Sequence, residues 1–494
     1  MTQNGGNSQQ SHRALVQGLT MIAALGGLLF GYDTAVISGA VAAIDHNFID
    51  PRGLSETAAG SLSGWTISCA LLGCVIGAAL AGPLSLRLGR RGGLLVAAVL
   101  FFVSALGSAF PEFGLGEVGA MGPAALTPFI LYRIVGGVGV GIASMLSPLY
   151  IAEIAPPAER GRLVTYQQVA IVVGMTLVYF INWAIAAQGD DQWVLARGWR
   201  YMLLSGAVPA GLFLVLLLLV PETPRWLVMK GRRDDARKVL LRVASESESI
   251  RVLAEIEDSL TATSGKLFAF GGLLLFVGIM LSVFQQFIGI NAVLYYAPLM
   301  FKNMGASTDT ALLQTITVGV ANIVFTLIAL VTVDRWGRKP LLILGALVMA
   351  VSMLSLGFLF SSGHVGTAAL VAVVAYIAGF ALSWGPVVWV LLAEIFPNAI
   401  KSKAMAIAVA MQWIANLFVS WSFKVLDGNS VLNGMFNHGF AYWIYGAMSI
   451  LAALFVMKFV PETKGRTLES IQQLWVAHSP AKRTAVSETS TAVT

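Results

Sequence analysis

The sequence predicts an all-α membrane protein with twelve transmembrane helices in two parallel six-helix halves. Three observations lead there. Of 494 residues, 57% are hydrophobic and 11% charged, whereas a soluble domain carries about 25% charge. The apolar residues gather into about twelve runs long enough to cross a bilayer core, which takes roughly 20 residues as a helix. Short charged motifs recur at a long, nearly constant interval, as in a tandem duplication.

Spans 1 to 6 are read near 17–39, 59–82, 93–110, 128–150, 164–187 and 201–220. Spans 7 to 12 are read near 268–290, 311–333, 341–361, 368–392, 404–423 and 440–460. The period-2 alternation of a membrane barrel strand is absent from them, so they are helices. The N-terminus is polar and the first apolar run is long enough to span, so no cleavable signal is expected. With both termini placed inside, the cytoplasmic segments hold 25 Lys and Arg and the outer segments hold 5. Lys and Arg favour the cytoplasmic side, which fixes this orientation. The net charge of +6 then reflects topology, and no nucleic-acid partner is expected. Cys69 and Cys74 lie on different faces of span 2 and read as core packing.

The repeats set the domains. Arg87-Leu-Gly-Arg-Arg91 recurs as Arg335-Trp-Gly-Arg-Lys339, Ala152-Glu-Ile154 as Ala393-Glu-Ile395, and Val220-Pro-Glu-Thr223 as Val460-Pro-Glu-Thr463, at shifts of 248, 241 and 240. The organisation is therefore an N-terminal half (1–220), a cytoplasmic linker of short amphipathic helices (221–267), a C-terminal half (268–475) and a disordered Ser/Thr/Ala-rich tail (476–494). Two similar bundles can rock about a site between them and expose it to each side in turn.

Two charges lie well inside spans: Asp33 and Arg133. They sit about six and five residues from the outer ends of spans 1 and 4, so at ~1.5 Å per residue they share a depth and can meet. Each alone costs roughly 2.5–3.5 kcal/mol to insert, and pairing lowers that. The pair is either a structural brace or a proton switch, and intramembrane ionisable groups are functional by default. As a switch, Asp33 keeps its charge beside Arg133 and takes up a proton when Arg133 moves away. All five His residues lie outside the spans, which argues against a His relay.

Span interiors also supply uncharged amides and aromatic rings, the groups that suit a hydroxyl-rich solute with apolar C–H faces. They are Gln168 on span 5, Gln285, Gln286, Asn291 and Tyr295 on span 7, Asn322 on span 8, Trp384 and Trp389 on span 10, and Gln412, Trp413 and Asn416 on span 11. Such amides can instead merely glue helices together, but three at one level on span 7 exceed what packing needs. Gly289 permits a break that turns Gln285 and Asn291 toward one cavity, and Gly385-Pro386 is expected to break span 10.

The set of motifs resembles the sugar porter family of the major facilitator superfamily over roughly residues 15–475. It comprises Gly26-Gly-Leu-Leu-Phe-Gly-Tyr-Asp33, the two Arg-x-Gly-Arg-basic loops, Pro221-Glu-Thr-Pro-Arg225, Gln285-Gln-Phe-x-Gly-Ile-Asn291 and Pro461-Glu-Thr463. Within the family the likeness runs to bacterial proton-coupled xylose carriers. The resemblance implies the major facilitator fold and monosaccharide import coupled to protons, with D-xylose favoured over hexoses or arabinose. It assigns sugar hydrogen bonds to Gln168, Gln285, Gln286, Asn291, Trp389 and Gln412, with Trp413 lining the site, and proton coupling to Asp33 and Arg133. Tyr295 joins the candidate site because it shares a helix face with Asn291, four residues before it.

Two departures stand out: Gly206 where those symporters have a span-6 glutamate, and Met175 where they have a glutamine. The cytoplasmic charges Arg90, Arg91, Glu153, Arg160, Glu222 and Arg225, with Arg338, Lys339, Glu394, Lys401 and Glu462 in the second half, read blandly as topology signals and helix caps. More sharply, they read as a latch that closes the inner side; Leu86 and Lys401-Ser402 depart from the usual loop pattern. The expected partners are a monosaccharide, a proton and the bilayer, around a monomer with no cofactor or metal. A passive sugar facilitator is the runner-up, ahead of a sugar sensor and a membrane enzyme. Gly136-Gly-Val-Gly-Val-Gly141 lies mid-span with no strand before it, so it reads as close helix contact rather than a nucleotide fingerprint.

Overall fold

The computed structural model describes residues 3–156, 159–261, 267, 272–364, 366–397 and 400–464. The expected tail at 476–494 lies outside them. The described residues are helical with no strand. Among the described residues, eleven helical stretches are long and apolar enough to cross a membrane. One of these, Glu56–Ala109, is 54 residues long with a non-helical Gly89 inside it, so it holds spans 2 and 3 and restores the expected twelve.

Span 1 is Gln3–Val36, span 4 Leu126–Ile154 and span 5 Arg160–Ala186. Span 6 lies within Asp191–Leu219, and spans 8 and 9 are Thr308–Trp336 and Arg338–Ser361. Spans 11 and 12 are Lys401–Asp427 and Phe440–Phe459. Spans 7 and 10 are broken. Span 7 comprises Gly272–Phe287 and Ile290–Asn303, parted where Gly289 adopts φ 93°, as expected from its freedom of backbone. Span 10 comprises Thr367–Leu382 and Trp384–Ile395. Its break falls at Ser383 (φ −134°, ψ −86°), just before the expected Gly385-Pro386. Pro386 lacks an N–H, so it belongs in the first turn of the second piece, where that donor has no helical partner anyway.

By packing, the chain divides into two compact units. The first gathers Met1–Ala262, Ala292–Ile323 and Ser420–Ser430; the second gathers Thr263–Asn291, Val324–Val419 and Val431–Thr494. The first unit therefore includes short pieces of spans 7, 8 and 11 beside spans 1 to 6.

Small residues bring two spans of the first unit into direct contact. A Cβ on Gly137 or Gly141 would overlap the backbone carbonyls of Ala70 and Cys74, so the glycine run of span 4 lets it lie directly on span 2. Cys69 and Cys74 are both buried and free. After span 6 the chain forms Pro224–Met229, Arg233–Val243 and Glu246–Thr261. The second of these is amphipathic, with Ala236, Val239, Leu240 and Val243 buried.

The repeated Arg-x-Gly-Arg-basic loops fold alike in the two units. Gly89 (φ 88°) and Gly337 (φ 92°) turn the chain between consecutive spans. Glu222 then accepts the backbone N–H groups of Arg90 and Arg91 at 3.0 Å each. Glu462 accepts those of Arg338 and Lys339 at 3.1 and 3.0 Å. Each carboxylate so caps the unpaired donors at the start of the next span. The following basic residue closes the far side of the turn: Arg91 donates to the carbonyls of Leu217 and Leu218, and Lys339 to that of Met457.

The Gly89→Ala variant tests this turn. A Cβ there would overlap Glu222 Oε2, and the backbone conformation is one that only glycine adopts freely, so the loss should be about 1–3 kcal/mol. Denaturant unfolding in detergent micelles measures it; an unchanged midpoint would show that the turn carries no strain.

Candidate functional site

Span 1 and span 4 meet at Asp33 and Arg133. Arg133 Nη1 lies 3.1 Å from Asp33 Oδ1, and Nη2 donates to the Asp33 backbone carbonyl at 3.1 Å. The two side chains are 12% and 3% exposed, respectively, so the expected encounter takes place in an interior where Coulomb attraction is strong and desolvation costly. Asp33 Oδ2 and Arg133 Nε are buried without a partner. They adjoin a cavity that Tyr32, Ser108 and Gly206 also line. Gly206 sits at the joint between Trp199–Leu204 and Ala207–Leu219.

In the second unit the span-7 amides form a chain. Asn291 Nδ2 donates to Gln286 Oε1 at 2.6 Å, and Gln286 Nε2 lies 3.4 Å from Gln285 Oε1. Gln285 Nε2 donates to the carbonyls of Trp384 at 2.7 Å and Gly385 at 3.3 Å. Gln285 thereby satisfies acceptors at the break in span 10, and Tyr376 does the same for span 7 by donating to the Ile288 carbonyl at 2.8 Å. Gln285, Gln286, Gln412 and Trp413 are buried, while Asn291 and Trp389 are half-buried. Gln412 Oε1 is buried without a hydrogen bond.

Two expected sugar ligands belong to the first unit: Gln168, half-buried on span 5, and Tyr295, buried on the second piece of span 7. Met175 is also buried on span 5. Gln167, which sequence reasoning passed over, is 6% exposed with neither end of its amide bonded.

At the basic end, ion pairs form within each unit. Arg90 makes a two-pronged pair with Glu153 at 2.8 and 2.8 Å. Arg338 pairs with Glu394 at 2.8 Å, and Thr463 Oγ1 donates to the other oxygen of Glu394 at 2.6 Å. Burial pushes the Glu222 carboxyl up, and its hydrogen bonds to N–H groups do not fully offset that. Burial also raises Glu462, but there the N–H groups of Lys464, Arg338, Lys339 and Thr463 prevail and hold it below the usual range. Arg160, Arg225 and Lys401 make no ion pair among the described residues, although Lys401 feels the charge of Glu394.

The end opposite the basic loops holds polar contacts that the sequence did not announce. Lys424 on span 11 pairs with Asp45 at 2.9 Å, the two being 13% and 21% exposed, and Ser63 donates to the other oxygen of Asp45. Trp421 donates to the Ser61 carbonyl at 3.2 Å, Trp183 to Asp309 at 2.8 Å, and Tyr179 to the Leu294 carbonyl at 2.9 Å. Gly60 and Gly64 admit the close approach of Lys424 and Trp421. Nearby, Arg200 grips Glu112 with two bonds of 2.7 and 2.9 Å. Burial raises the Glu112 carboxyl, but Arg200 and neighbouring N–H groups bring it below the usual range. Opposite charges at the ends of different spans are the only sequence signal for these pairs, and one sequence does not say which meets which.

The profile of the family described as "Sugar (and other) transporter" matches residues 19–475. The D-xylose-proton symporter of Escherichia coli K12 is 54% identical over 475 residues, 94% of this chain and 97% of that protein. The glucose facilitated diffusion protein of Zymomonas mobilis is 49% identical over 472 residues, 95% of this chain and 99% of that one. Among solved structures, the xylose transporter of E. coli in an inward-open conformation matches with a TM-score of 0.84 at 51% identity, covering 93% of this chain and 100% of that one.

The Asp45–Lys424 pair makes a specific prediction. Lys424→Ala removes one partner of a largely buried pair and should open the end opposite the basic loops, by about tenfold in population for each ~1.4 kcal/mol lost. The labelling rate of a Ser61→Cys reporter by a membrane-impermeant maleimide reads this. An equal rate with and without Lys424 would mean that the pair does not hold that end shut.

Proposed function

The chain belongs to the sugar transporter family, and from that membership we propose that it is a proton-coupled symporter importing a monosaccharide, D-xylose foremost, by alternating access. It is a multi-pass membrane carrier and not an enzyme. The observation that carries the coupling is the Asp33–Arg133 pair, 3.1 Å apart and buried within the span bundle. A passive facilitator has no evident need to bury a carboxylate there.

In this reading the two six-span halves, 1–220 and 268–475, work as rocking bodies joined by 221–267. Both termini face the cytoplasm of a cell whose inner membrane holds the protein as a monomer. Proton uptake by Asp33 removes the charge that holds Arg133 and frees span 1 to shift against span 4. Sugar hydroxyls bond to Gln168, Gln286, Asn291 and Gln412, while Trp389, Trp413 and Tyr295 offer ring faces and edges. Gln285 joins them from the break in span 10 that it steadies. The capped and paired charges Arg90, Arg91, Glu153, Glu222, Arg338, Lys339, Glu394 and Glu462, with Arg160, Arg225 and Lys401 beside them, act as the inner latch. Their exchange of partners gives each state its stability.

The second reading, a facilitator, is favoured by the 49% identity to a glucose facilitated diffusion protein and by Gly206, which brings no carboxylate to the Asp33 cavity. Proteoliposomes decide between them. With an imposed pH gradient the wild type should accumulate xylose above equilibrium, and Asp33→Asn should abolish accumulation while retaining sugar exchange. Equilibration without accumulation in the wild type would establish the facilitator.

For the sugar site, Gln286→Ala and Asn291→Ala should each weaken xylose binding about tenfold, since a lost hydrogen bond that strands its partner costs about 1–3 kcal/mol. Calorimetric titration measures this, and an unchanged Kd in both variants would remove the amide chain from the site.

A further inference from the structure

Beside Asp33 lies a narrow cavity bounded by spans 1, 3, 4 and 6. It has room for about one water molecule, the smallest volume that such a site needs. Its polar lining is under-satisfied. Asp33 Oδ2, Arg133 Nε and Ser108 Oγ all lack a hydrogen-bond partner, and so does Ser104 Oγ one turn before Ser108. Arg133 and both serines are at least nine-tenths buried. Voids that stay dry are apolar, whereas a void with several unpaired donors and acceptors holds water.

We propose that this cavity is a water site that delivers the proton to Asp33 Oδ2, and that Gly206 keeps it open. The inference rests on the proton-coupled reading above. Arg133 occupies Oδ1, so Oδ2 is the oxygen left to accept a proton. A water there donates to Oδ2 and exchanges a hydrogen bond with Ser108. When it carries an extra proton, it passes that proton to Oδ2, and carboxylate plus hydronium become carboxylic acid plus water. Release runs the same step backward. A metal cation does not fit, because the guanidinium already sits against the same carboxylate.

The titratable groups around Asp33 are Tyr32 on span 1, the thiols of Cys69 and Cys74 on span 2 and Arg133 on span 4. Span 3 presents hydroxyls, span 5 meets Gly31 through Ile171, and span 6 presents Gly206. Tyr32 hydrogen-bonds Ser205 at 2.6 Å, which leaves the water as the mobile proton donor. A Cβ on Gly206 would make ordinary contacts, with the Leu203 carbonyl at 3.4 Å and with Ala105 and Tyr32 at 3.6 Å each, so alanine narrows the cavity and leucine fills it.

X-ray-driven hydroxyl-radical footprinting of the full chain in proteoliposomes tests the site, since internal water oxidises the buried side chains around it. Wild-type protein should be oxidised at Tyr32 and Phe101, which line the cavity, and not at Phe129, which is buried elsewhere. Labelling should fall in Gly206→Ala and vanish in Gly206→Leu, with pH-driven xylose accumulation falling in step. Ser108→Ala, which adds no bulk, should weaken both. Sugar exchange between loaded vesicles, which needs no proton release, reports that each variant is folded. Wild-type accumulation without labelling of Tyr32 overturns the water site and leaves the coupling intact. Loss of labelling in Gly206→Leu with full accumulation overturns its role as proton donor. Labelling without accumulation in the wild type overturns the symport reading, and the water's role with it.

Discussion

Inside hydrocarbon a backbone N–H or C=O has only the protein to bond with, and the architecture of this chain follows from that limit. Each span is a helix because a helix meets the requirement within itself. Wherever a helix is interrupted, something must take over the groups set free. At the break in span 10, Gln285 bonds the carbonyls of Trp384 and Gly385. At the break in span 7, Tyr376 bonds the carbonyl of Ile288. The residues that repair the backbone thus sit among the polar groups suited to a sugar, because irregular backbone at membrane depth is tolerated only where it is enclosed by protein or lines a polar cavity.

The duplication is visible at the level of single bonds. A glycine with positive φ, a glutamate from the end of the sixth span of its half and a basic residue reaching back to that span's last carbonyls recur in both units. The two glutamates differ in one respect. Burial dominates at Glu222 and hydrogen bonding at Glu462, so their carboxyls shift in opposite directions. Copies that keep the same geometry have drifted in electrostatics.

Several buried charges meet a counterweight, inside the spans and at their ends. Asp33 faces Arg133, Arg90 faces Glu153 and Arg338 faces Glu394. At the opposite end Asp45 meets Lys424 and Glu112 meets Arg200. A buried pair of this kind contributes little net stability but is costly to break on one side.

The sequence alone determined the number of spans, the basic side and the duplication, because these depend on composition, length and spacing along the chain. It also placed Asp33 and Arg133 at one depth, since rise per residue is fixed in a helix, and it marked Gly289 as a break. Tertiary structure decided what depends on contact between distant segments. Asp45 and Lys424, or Trp183 and Asp309, are partners only because the folded chain brings their helix ends together. Gln167 is buried with its amide unpaired while the more conspicuous Gln168 is half-exposed, a difference of one residue around a helix that packing alone resolves. The break in span 10 settled at Ser383 rather than at the proline, because a missing N–H costs nothing in a first turn. The cavity at Asp33 likewise needed four helices in place, since a void is a property of their surfaces together and of no one of them.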